Sequence, residues 1–120
     1  MLGRRPMTVL LIAVAASLGV AGSGASPASA AGKNCSPPRY PGSGYFTSLK
    51  VTAVSCGRGR EVALAHYRCR VKNGRTGKCA GRSSGFRCSE KRTSISTELN
   101  SLVTCRRGDT TVRFSYQQNT

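Results

Sequence analysis

From Tyr45 to Ser55 the chain reads YFTSLKVTAVS, with Leu49, Val51 and Ala53 on one side of an extended backbone and Ser48, Lys50 and Thr52 on the other. Successive strand side chains point to opposite faces, so this alternation predicts a half-buried strand. A second alternation runs through both sides of Gly108-Asp109, as SLVTCRR before the pair and TTVRFSY after it. A Gly-Asp pair between two such runs predicts a two-residue hairpin turn of type I′ or II′. That turn sets Cys105 opposite Val112 and Val103 opposite Phe114. Both strands then present one apolar face of Val103, Cys105, Val112, Phe114 and Tyr116, which supports the register.

Between these strands the period changes. Gly57 to about Val71 contains good helix formers in Glu61-Val62-Ala63-Leu64-Ala65 and predicts a helix. Val62, Ala65 and Cys69 share one stripe, Leu64, Tyr67 and Val71 another, and Glu61, Arg68 and Lys72 a charged edge. His66 and Arg70 interrupt the apolar arc, and His66 is expected on the helix surface or half-buried. FRCSE, Phe86–Glu90, predicts a short strand with Phe86 and Cys88 on one face. Thr93–Ser101 fits a helical turn or an extended segment equally well. Lys72–Gly85 reads as a basic, glycine-rich loop, and Gln117–Thr120 as a polar tail. The fold class expected is α+β, one helix packed on a small, mainly antiparallel sheet, in the order strand, helix, strand, strand, strand.

The amino terminus has a different pattern. Arg4 and Arg5 precede an uncharged apolar run from Met7 to about Ala21, and small residues ending in Ala28-Ser29-Ala30 follow. This is the order of a secretory signal peptide. The run is short for a membrane span, so removal is expected over retention as an anchor. Cleavage near Ala30 divides the chain into a signal peptide (1–30), an extended Pro/Gly lead-in (31–44) and a disulfide-stabilised domain (45–120), secreted and without a transmembrane segment.

Export changes the meaning of the cysteines. Cys35, Cys56, Cys69, Cys79, Cys88 and Cys105 all follow the cut. An even count in a short exported chain predicts about three disulfides, which supplement a modest core. Six cysteines allow fifteen pairings. Placement on the expected elements prefers 88–105 between inward strand positions, 69–79 from the helix end to its loop, and 35–56 from the lead-in to the helix start. His66 and Cys69, three apart on a helix, could share a metal ion. The close cysteine pairs of zinc sites are missing, however, so no metal and no cofactor is expected.

Charge points outward. Nineteen basic residues less Arg4 and Arg5 leave seventeen against four acidic ones, a net of +13. Nine basic residues and one acid, Glu90, fall between Arg68 and Arg92. Arg68, Arg70, Lys72, Arg75, Lys78, Arg82 and Arg87 are the candidate anion-binding residues. The partners expected are polyanions, namely teichoic acid, acidic polysaccharide or an anionic lipid surface. Tyr67 and Phe86 are the aromatics near this run, too few for base stacking, so specific nucleic-acid recognition is not expected. Nor is catalysis. Bridged cysteines leave no thiolate, and one histidine has no evident carboxylate to orient it. A meeting of Glu90 with Glu98 is the carboxylate pair left open.

YFTSLKVTAVSCGRGREVALAHYRCR, GFRCSEKR and LVTCRRGDTTVRFSYQQNT together resemble small exported cysteine-containing proteins of actinomycete-type bacteria, a family without established activity. The resemblance covers about residues 42–120. It implies an α+β exported domain and a Cys88–Cys105 link, and it transfers no catalytic residue. The function expected is a monomeric, non-enzymatic module binding anionic polymers. The alternative is a protein-interaction or enzyme-inhibitor domain presenting the 73–85 loop.

Overall fold

The computed structural model of the protein describes residues 32–120 and the single residue Gly3. The expected signal peptide and its cleavage point therefore lie outside the described residues. The elements follow the order β1 (Lys33–Cys35), β2 (Gly44–Thr52), α1 (Cys56–Val71), β3 (Arg82–Ser83), β4 (Phe86–Ile95), β5 (Glu98–Arg107) and β6 (Thr110–Asn119). The strands form one antiparallel sheet in the order β1-β2-β6-β5-β4-β3, and α1 covers one of its faces. This is the α+β class expected, with three disulfides: Cys35–Cys56, Cys69–Cys79 and Cys88–Cys105. They tie β1 to the start of α1, the end of α1 to the following loop, and β4 to β5.

The closing hairpin has the register read from its alternation, with Cys105 opposite Val112 and Val103 opposite Phe114. Gly108 takes φ +56 and Asp109 stays out of the left-handed region, which selects the type II′ turn. Thr93–Ser101 is extended: β4 and β5 run on to meet at Ile95 and Glu98 across Ser96-Thr97. Gln117–Thr120 is not a free tail. Most of it belongs to β6, and Gln118 is buried. The lead-in and the glycine-rich loop each contribute a short edge strand, β1 and β3. Ala53, expected on the inner face of the first strand, lies beyond its end, exposed, at φ 58.

Leu49, Val51, Val103, Val112 and Phe114 form the inner face of the sheet. Ser55 caps α1, its Oγ accepting the Arg58 amide N–H at 3.1 Å. Glu61 lies past the first turn and pairs with Arg58 at 2.9 Å. The buried face of α1 is Gly59, Val62, Ala63, His66 and Arg70, rather than the stripe through Ala65 and Cys69. Gly59 lets the helix approach β2 closely: a Cβ there would run into Val51 Cγ1.

Candidate anion-binding surface

The seven basic residues singled out in the sequence do not form one patch. Arg68 and Lys72 are exposed at the end of α1, and Arg75 and Lys78 on the loop beyond it. Arg82 and Arg87 lie on the edge of the sheet, directly opposite each other on β3 and β4. Arg70 is a correction, being wholly buried and unable to meet an external anion. Its Nη2 donates to Tyr40 Oη at 2.7 Å and Gln118 Oε1 at 2.8 Å, and its guanidinium lies 4.6 Å from the centre of the Tyr116 ring. Neutral acceptors and an aromatic face thus replace water around the charge.

The cluster that the fold does assemble lies on the face of the sheet away from α1. Arg87 is opposite Arg82 on one side and Arg106 on the other, so three exposed arginines occupy one cross-strand row. With Arg107 they wall a cleft of about 500 Å³ that also takes in Ser89 and Thr104. Arg113 on β6 faces Thr104 and, on its other side, Lys50 on β2. Both are exposed, as is Lys91. The four acids are all engaged elsewhere or stand off the row. Glu61 pairs with Arg58, Glu90 with Arg92, Glu98 accepts from Gln117 Nε2, and Asp109 occupies its turn. Glu90 and Glu98 therefore form no carboxylate pair.

Sequence reading missed Arg106, Arg107, Arg113 and Lys50 because it grouped cations by contiguity. A usable signal was present: a Cys88–Cys105 bridge between neighbouring strands puts their flanking residues Arg87 and Arg106 opposite one another.

The inner face holds a buried polar cluster. Tyr116 Oη and Ser101 Oγ donate to Glu90 Oε2 at 2.7 and 2.6 Å. Arg92 Nη2 stands 2.8 Å from Glu90 Oε1 as an ion pair, while its N–H groups are aimed at the loop carbonyls of Thr76 and Gly77. Burial by itself raises the Glu90 carboxyl; Arg92, Ser101 and Tyr116 outweigh it and hold the group below the ordinary carboxylate range. Burial, with Glu90 beside it, pushes the Tyr116 phenol up to about 12. His66, expected on the helix surface or half-buried, is only 2 % exposed, with its ring 5.4 Å from that of Phe114. Burial drives its pKa down to about 4, against the opposing pull of Glu90. Cys69, the other member of the metal alternative, is bridged to Cys79. What this cluster does is fasten the 73–81 loop to the sheet.

No protein-family model matches the chain, and neither a curated protein nor a solved structure does.

Proposed function

We propose that the protein is an exported, monomeric, non-enzymatic module that binds anionic polymers of the cell envelope or extracellular space through the open face of its sheet. The observation that carries this reading is the row Arg82, Arg87, Arg106, three guanidinium groups in direct cross-strand register with no acid in the row. Like charges directly opposite destabilise a sheet, so an anion laid over them relieves a strain built into the fold. The net of +13 in residues 31–120 adds long-range attraction. Three disulfides are compatible with an extracellular protein, and among the described residues no helix is long and apolar enough to cross a membrane. A signal peptide cut near Ala30 belongs to this reading.

The second reading is a protein-interaction or inhibitor domain presenting the 73–85 loop. Its support is the anchoring of that loop by Cys69–Cys79 and by Arg92. Salt separates the two. Binding of the oxidised full chain to a polyol phosphate, an acidic polysaccharide and anionic vesicles is measured across a salt titration. The polymer reading expects tight binding to one of them that weakens steeply with salt. Uniformly weak binding that ignores salt contradicts it.

A further inference from the structure

We infer that the ligand of the open sheet face is a single linear phosphodiester chain lying across the strands, held in order by Arg82, Arg87, Arg106, Arg113 and Lys50. This inference rests on the anionic-polymer reading above. The five cations stand on five successive strands of the sheet, β3, β4, β5, β6 and β2, and all are exposed. Arg82–Arg87, Arg87–Arg106 and Arg113–Lys50 are direct cross-strand neighbours. Arg106 faces Thr111, so Arg113 lies two residues further along β6, one diagonal step away. Direct steps in an antiparallel sheet are about 4.5–5.5 Å and diagonal ones about 7 Å. The result is a narrow stripe with one positive charge on each of these five strands, flanked by Arg107 at the cleft and by the exposed Lys91 on β4.

Three properties of the stripe select the ligand. The first is spacing. A phosphodiester backbone with six bonds per repeat reaches at most the length of two extended peptide residues, about 7 Å. Such a chain, slack over the direct steps and close to fully extended over the diagonal one, meets one cation per phosphate. The second is width. A bilayer surface or a duplex offers anions in two dimensions or on two strands, and a narrow stripe flanked only by Arg107 and Lys91 engages part of either. The third is the flanking chemistry. Thr111 and Thr104, beside Arg106 and Arg113, supply hydroxyls that can donate to phosphate oxygens. The exposed Tyr45 is at the opposite end of β2, paired with Gln117, so no aromatic ring lies in the stripe to stack a base. Nucleobases then add nothing, and the chain is read by its phosphates alone.

The probes are base-free phosphodiester oligomers of increasing length, matching single-stranded oligonucleotides, and inositol hexakisphosphate as a compact anion of high charge. They are titrated against the full oxidised protein at low salt. Affinity should climb with each phosphate up to about five and then level off. In Lys50→Gln, which removes the end of the stripe, the plateau should come one phosphate earlier. Oligonucleotides should match base-free chains of equal phosphate number, and the compact anion should bind more weakly than the five-phosphate chain. A climb without any break, tighter binding of the oligonucleotides, or equal binding of the compact anion would overturn the linear register and leave the anionic-polymer reading standing. Absence of binding to every probe overturns the phosphodiester inference, and the anionic-polymer reading falls with it only when the acidic polysaccharide and the anionic vesicles also go unbound.

Discussion

His66 has no charged partner of its own and lies against Phe114 beneath the helix, with Glu90, Arg70 and Arg92 the charged groups around it. Burial holds its folded pKa near 4 against an ordinary 6.5. Between those values the unfolded chain takes up a proton that the native state refuses. Stability is therefore whole above the unfolded value and falls as the pH drops from about 6.5 toward 4, by about 3 kcal/mol in all. Urea unfolding at steps from neutral pH to pH 5 should show this decline in the native protein. His66→Phe, which keeps an aromatic ring against Phe114, should flatten it. The same slope in both proteins would assign the pH dependence to other groups. Glu90 acts with the same sign at lower pH, because its carboxyl is held below 4.5 and its contribution goes only when it is protonated there.

At the scale of elements, the contact that sets the helix on the sheet is Gly59 against Val51. Alanine has the better helix propensity by about 1 kcal/mol, yet its methyl would press on a stiff β-branched core residue. Gly59→Ala should lower stability by about 1–2 kcal/mol in urea unfolding; a gain would mean that the interface yields. β2 and the β5–β6 hairpin were legible in the sequence because alternation, the Gly108-Asp109 turn and strand face agree, whereas the short edge strands β1 and β3 and the meeting of β4 with β5 carry no such pattern. The face of the helix was not. Gly59, Val62, Ala63, His66 and Arg70 keep helical spacing, but two of the five are polar and one has no side chain. Arg70 is buried because Tyr40, Gln118 and Tyr116 converge on it from distant segments, and hydropathy cannot register such partners. The polar end of β6 was misread for the same reason, since Gln118 is one of those partners. The basic surface was half legible. Arg82 and Arg87 were named from local density, whereas Arg106, Arg113 and Lys50 reach them only through strand pairing.

Over the whole molecule, charge is sorted by layer. One arginine is spent inside, in the helix–sheet core, and another holds the loop. Of the remaining cations, one group lies at the helix end with its loop and another on the open face of the sheet, while Lys33, Arg39, Arg58 and Arg60 stand apart from both, along the lead-in and at the start of the helix. Position on the sheet governs binding, beyond total charge. Two variants with equal loss of charge test it: Arg82→Gln/Arg87→Gln/Arg106→Gln on the sheet, and Arg68→Gln/Arg75→Gln/Lys78→Gln on the helix end and loop. Affinity for a polyol-phosphate chain is measured for both across a salt titration. The sheet variant should lose roughly tenfold or more and show a shallower salt dependence, while the helix–loop variant stays within about threefold of the native protein. The sheet variant should also be no less stable, because opposed like charges have been removed. Equal losses in the two variants would contradict the account and leave net charge as the sole source of binding.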